Sequence, residues 1–314
     1  MDNIWGSMAQ YDPVVWNWVI AVYLFLAGLS AGSILIGIGL RWNDKKPSED
    51  GVEKPILKAA VLIAPLIICL GLACLVLDLT KPLNFWVILI KYNFTSVMAL
   101  GVIALLIYTP LAFAYALIVF REELSILPIP PALMKTLVGI RKPVEMFLVI
   151  MAFIVGIYTG FLLSAMNSYP LLNTPVLPAL FLISALSAGA AANNLVSILF
   201  FSAKPDDPQC HAMHKLELPV ISLETLFLIL IFVGLYFRGG VAVEALASLT
   251  VGIWALVFWV GVVVVGFGVP LLSMLLPASI QHSRVTAVIV ACCSLAGVLS
   301  LRHFILYAGQ RYIS

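Results

Sequence analysis

Eight long apolar runs constrain this chain more than any other feature: Val14–Leu40, Ile56–Leu77, Phe94–Phe120, Val144–Ala165, Val176–Phe201, Leu216–Phe237, Ala245–Leu276 and Val285–Leu306. A bilayer span needs about 20 apolar residues, and every run meets that length. Inside lipid the backbone must satisfy its own polar groups, which leaves helices or a closed barrel. A barrel strand alternates apolar and polar residues, and these runs do not. The fold class expected is therefore all-α, a polytopic membrane protein with eight transmembrane helices. Composition agrees. Hydrophobic residues make up 63% and charged residues 10%, against about 25% charged in soluble domains. Mean hydropathy is +1.12, so the solvent of this chain is membrane lipid and a soluble enzyme is excluded. The net charge of +2 gives no general attraction to nucleic acid. The first run exceeds a signal-peptide core and no Lys or Arg precedes it, so it is expected to remain as an anchor.

Lys and Arg set the orientation. Loops after odd-numbered runs carry Arg41, Lys45, Lys46, Lys54 and Lys58, then Arg121, Lys135, Arg141 and Lys142, then Lys204, Lys215 and Arg284. The other side has only Lys81, Lys91, Arg238, Arg302 and Arg311. Odd loops are thus expected in the cytoplasm and both termini in the periplasm. The chain also repeats weakly. Leu29-Ser30-Ala31-Gly32 in the first run and Leu186-Ser187-Ala188-Gly189 in the fifth are 157 residues apart, half the chain. This suggests two four-helix bundles in parallel repeat, 1–168 and 169–314. The competing explanation is that small residues merely let helices pack closely.

Ionisable groups at membrane depth are costly and tend to be functional. Asp78 sits near the outer end of the second run with Lys81 after it, either an interfacial ion pair or a proton acceptor. Glu145 opens the fourth run, where a helix dipole favours an acid. Glu217 and Glu224 are seven apart, on one helix face in the cytoplasmic half of the sixth run, and are candidates for a proton path. The five cysteines form no CxxC pair and read as small buried residues. Of the four histidines, His211, His214 and His282 fall in or beside cytoplasmic loops and His303 near a helix end, so paired axial ligands for a haem are missing. His211 and His214 are two potential metal ligands in a charged loop, which more often is simply solvated. No P-loop, GxSxG or HExxH motif occurs.

Two tyrosines fall at matching depth. With about 1.5 Å rise per residue, Tyr23 lies roughly 14 Å from the outer start of its helix and Tyr158 roughly 15 Å from the outer end of its own. A phenol offers an apolar wall and a hydrogen-bonding tip. The pair either lines a pocket for an amphipathic ligand such as a quinone or is simply packed against helix carbonyls.

Four segments carry a resemblance. Trp16-Asn17-Trp18 running through Tyr23 to Gly32, Phe94-Thr95-Ser96-Val97-Met98, Tyr158-Thr159-Gly160 through Asn167-Ser168-Tyr169-Pro170 to Pro178, and Arg302-His303 through Gln310 are similar to the NrfD/PsrC family of respiratory membrane subunits. The resemblance covers essentially the whole chain. It implies a haem-free and metal-free membrane anchor of two four-helix bundles in the bacterial inner membrane. Such an anchor oxidises menaquinol or ubiquinol and passes electrons to a periplasmic iron–sulfur subunit of four-cluster ferredoxin type. Beyond that lies a molybdopterin reductase or a multihaem cytochrome c. The family's quinone pocket, between the first and fourth helices near the periplasm, falls on Tyr23 and Tyr158, and some relatives have an acid where Asp78 stands. One departure is Ile20, at a position that is polar in the family.

The mechanism this implies has a quinol head group between Tyr23 and Tyr158, Asp78 as proton acceptor, and Glu224 and Glu217 available for coupled proton movement. The protein supplies position and proton paths, while the redox chemistry belongs to quinone and clusters. Two alternatives stand beside it: a secondary transporter, which predicts helices broken near the midplane, and a passive anchor without a quinone site.

Overall fold

The computed structural model describes residues 16–44, 53–79, 82–87, 94, 96–123, 136–203, 207–281 and 283–310. The expectations on Val14, Lys45, Lys46, Lys81, Lys91, Thr95, Lys135, Lys204, His282 and Arg311 lie outside these residues, as does the side chain of His211. The described chain is helical, with no strand among those residues. Eight helices are long and apolar enough to cross a membrane: α1 Trp18–Asn43, α2 Pro55–Asp78, α3 Val97–Val119, α4 Arg141–Ser164, α5 Leu177–Phe200, α6 Pro208–Arg238, α7 Ile253–Ser273 and α8 Arg284–Gly309.

Local chemistry sets several boundaries. Asn17 caps α1 by accepting from the Val19 N–H at 3.0 Å. Ser283 does the same for α8 through the Thr286 N–H at 3.1 Å. Proline opens α2, and Pro208 opens α6, where a missing N–H costs nothing. These signals correct three sequence boundaries. The first helix starts at Trp18 and continues to Asn43, past the predicted Leu40. The sixth begins at Pro208, so His214 is a helical residue and not part of a loop. The predicted seventh span loses its first residues: Ala245–Leu249 is a separate 3-10 turn, and α7 begins at Ile253 after Gly252, whose φ of 86° suits glycine. Most of α7, Val257–Gly268, is wound as a π-helix.

Large apolar side chains such as Leu70, Phe113, Phe161 and Trp259 are exposed around the bundle, where lipid would meet them. Small residues and polar groups fill the inside. α1 is the most enclosed helix and packs against α2, α4, α5 and α8. Its contact with α5 is backbone to backbone: a Cβ at Gly32 would strike the Ala185 carbonyl, and one at Gly189 would strike the Gly32 backbone. The two Leu-Ser-Ala-Gly segments therefore meet each other at their glycines. Gly266 and Gly297 allow the same close approach of α7 and α8. The cysteines are all unpaired, and the reading of them as buried holds for Cys210 only, since Cys69 and Cys292 are exposed among the outward-facing residues.

Candidate functional site

The N-terminal end of α1 is pinned to the C-terminal end of α8. The Gln310 side chain accepts from the Trp16 N–H at 2.8 Å and donates to the Trp16 carbonyl at 3.0 Å. At this end of the bundle Tyr23 and Tyr158 belong to the same buried core cluster. The revised helix ends place Tyr23 about 7.5 Å from the start of α1 and Tyr158 about 9 Å from the end of α4, shallower than the apolar runs suggested but still at matched depth. Both residues are buried, Tyr23 to 1% and Tyr158 to 9% exposure. A glycine faces each ring, and the Tyr158 ring requires its own. A Cβ at Gly71 of α2 would touch the Tyr23 ring at 3.5 Å, and a Cβ at Gly101 of α3 would overlap the Tyr158 ring. The Tyr158 hydroxyl donates to the Met98 carbonyl at 3.5 Å, the long limit of a hydrogen bond. The Tyr23 hydroxyl has no hydrogen bond among the described residues, and Ile20, one turn away, is apolar and buried.

Asp78 is the last residue of α2, partly buried, and seven residues beyond Gly71. That spacing puts it on the Tyr23-facing side of α2, about 10 Å further out.

A second polar site lies deeper. Glu224 of α6 and Arg302 of α8 are 1% and 0% exposed. They interact electrostatically without forming an ion pair, and both Glu224 oxygens and the Arg302 Nε and Nη1 lack partners among the described residues. Arg302 is held from other sides: its Nη2 donates to the Phe181 carbonyl at 3.0 Å, and its guanidinium lies 3.6 Å above the Phe181 ring. Gly28 of α1 leaves the room, since a Cβ there would stand 3.3 Å from Arg302 Nη2. Four orphaned buried atoms on two charged groups are costly to leave unsatisfied. Counting Arg302 among the outer charges was wrong: it is an interior residue, and an arginine inside an apolar run was the signal. Glu224 is also not in one half of its helix: with α6 starting at Pro208, it stands about 24 Å from one end and about 21 Å from the other. Glu217 is not joined to it; it is partly buried near the other end of α6 and meets His214 Nδ1 at 3.3 Å.

The opposite, basic end of the bundle is built around Glu145, which is no simple dipole cap. It accepts from Arg41, from Trp42 Nε1 at 3.2 Å, from the Tyr115 hydroxyl at 2.9 Å and from Arg141 Nε at 2.9 Å. Between the two ends, Tyr108 of α3 shares a 2.9 Å hydrogen bond with Ser30 of α1. Gly101, Tyr108 and Tyr115 recur at intervals of seven on one face of α3, which sequence inspection did not single out. Among the described residues no cluster of His, Cys, Asp and Glu is suited to hold a metal.

Fold and interior together define a multi-pass helical membrane protein with polar sites enclosed among its spans. The chain belongs to the NrfD family: the family described as "Polysulphide reductase, NrfD" matches residues 6–314. It is 46% identical over 318 residues to one of the component chains of the polysulfide reductase of Wolinella succinogenes, with the whole of both sequences covered. It is 39% identical to a protein NrfD homolog of Haemophilus influenzae, covering 95% of each sequence. It is 38% identical to protein NrfD of Escherichia coli, covering 97% of this sequence and 98% of that one. Eight apolar helices and bacterial relatives of this family make it a multi-pass protein of the bacterial inner membrane.

Proposed function

We propose that this chain is the quinol-oxidising membrane subunit of a respiratory reductase, with its basic end in the cytoplasm and both termini in the periplasm. The observation that carries the reading is the burial of Tyr23 and Tyr158, from helices 1 and 4, in one core cluster at matched depth, with Asp78 at the nearby end of α2. A relative named as one component of a polysulfide reductase supports a role beside other subunits.

In this reading Tyr158 is one wall of the site, its ring seated on Gly101 and its hydroxyl only loosely held by the Met98 carbonyl. Tyr23 supplies a hydroxyl free to bond a quinol oxygen. Menaquinol or ubiquinol gives two electrons to a periplasmic four-cluster ferredoxin-like iron–sulfur subunit. They continue to a molybdopterin reductase or a multihaem cytochrome c. The two protons leave toward the outer water, with Asp78 as the first acceptor. Glu224, held near Arg302, and Glu217 are the groups through which oxidation would couple to proton movement across the bundle. The halves 1–168 and 169–314 would act as two bundles, the quinol site lying in the first. A secondary transporter would be expected to break its helices near the midplane; seven of the spans are continuous α-helix and the middle of α7 is a continuous π-helix.

The test is reduction of the co-purified iron–sulfur partner by a menaquinol analogue in membranes. Fast reduction by wild type, with Tyr158→Phe and Asp78→Asn slowed by about tenfold or more in an intact complex, supports the reading. Equal rates in all three move the quinol site elsewhere, and no reduction by wild type leaves a passive anchor.

A further inference from the structure

At the basic end, the last turn of α1, the starts of α2, α4 and α6 and the end of α3 line an open cavity of about 920 Å³. Its acidic side chains are already paired with cations. Glu145 takes four donors, as above, and Glu53 takes Arg141 Nη1 at 2.6 Å and Arg41 Nε at 3.7 Å. Lys54 and Asp44 are joined to each other. The basic side chains, in contrast, have donors to spare. Arg141 Nη2 is buried without a partner among the described residues. Arg121 approaches Glu122 at a loose 3.8 Å, and Lys142, exposed on the same lining, forms no ion pair among the described residues. Unused donors converging from three cations select an anion with several oxygens, and a phosphate matches the planar Arg fork.

The rim decides between a soluble and a lipid phosphate. Trp42 and Met146 line the cavity and are 55% and 61% exposed. From Met146 an outward apolar stripe continues along α4 through Ile150, Phe153 and Ile154, a surface suited to acyl chains. Tryptophan at a helix end beside basic side chains marks the headgroup level, where basic pockets between spans take anionic lipids.

We propose that this cavity is a binding site for an anionic phospholipid, its phosphate held by Arg121, Arg141 and Lys142 and its acyl chains laid against α4. The site is independent of the quinol reading and stands or falls without it.

The test uses the full-length protein, delipidated in detergent and titrated with phosphatidylglycerol or phosphatidylcholine of identical acyl chains, with bound lipid read by native mass spectrometry. Wild type is expected to retain phosphatidylglycerol preferentially, and Arg121→Gln with Lys142→Gln to weaken that retention by about tenfold. Inorganic phosphate is the second probe: displacement of the lipid by phosphate at equal concentration makes the occupant a soluble anion and overturns the lipid assignment. Equal retention of the two lipids, or retention unchanged in the double variant, also overturns it. Should the double variant fail to fold, Lys142→Glu alone changes only an exposed side chain and is expected to shift retention in the same direction; an unchanged retention in that variant counts against the site.

Discussion

The ring of Tyr158 lies across Gly101, in space that any side chain at position 101 would occupy. A helix interior normally disfavours glycine by about 1 kcal/mol relative to alanine, so replacing it would ordinarily help. Here Gly101→Ala is expected to push the phenol off the Met98 carbonyl and slow quinol-dependent electron transfer by about 100-fold, the scale of a misplacement near 1 Å. Rates in membranes check this. A variant as fast as wild type would mean the Tyr158 position is irrelevant to turnover.

Glu224 and Arg302 are expected to depend on one another. Glu224→Gln removes a buried acid that faces Arg302 without pairing with it and should destabilise the protein by about 0.5–3 kcal/mol. Adding Arg302→Met should recover part of that loss, with a coupling of about 1–3 kcal/mol. Unfolding of the single and double variants in detergent measures it, and strictly additive losses would show that the two charges do not sense each other.

Gly32 and Gly189 bring the α1 and α5 backbones into contact. Gly32→Val is expected to separate the helices and to abolish accumulation of the folded protein in membranes. Ser187→Ala, in the same repeated segment at a partly exposed position, should accumulate normally. Immunoblots of membrane fractions distinguish the two; a well-accumulated Gly32→Val would refute the close approach.

Lys58 and Glu123 tie the start of α2 to the end of α3. The hydrogen bond from Lys58 is the main cause that holds the Glu123 carboxyl below its ordinary range. A depressed folded pKa contributes stability above the unfolded pKa and loses it as pH falls through the folded value. The pair should therefore act at neutral pH and fade in acid. Being exposed, it contributes about 0–1 kcal/mol at most and less in high salt. Glu123→Gln should lower the melting temperature slightly at neutral pH and leave it unchanged at strongly acid pH.

Much of the fold could be read from residue order. The eight spans follow from run length alone, because lipid forbids any other way of satisfying the backbone. The matched depth of Tyr23 and Tyr158 follows from counting turns, although the helix ends, set by caps such as Asn17 and by Pro208, shifted every absolute depth. Glu145 was legible as an acid beside basic residues but not as a hub, since Arg41 and Tyr115 reach it from helices distant in sequence. Glycines 71 and 101 carried no signal at all: a glycine in an apolar run looks like any other until the residue opposite is known.

By itself, then, the sequence determined the solvent, the number of spans and the charge asymmetry, since these depend on composition and length, which act on each segment alone. Which side chains share an interior was decided only by the tertiary structure. It set Tyr158 on Gly101, Glu224 opposite Arg302 and one Leu-Ser-Ala-Gly segment against the other, because the rotation of each helix about its axis is fixed by its packing against neighbours and not by its own residues.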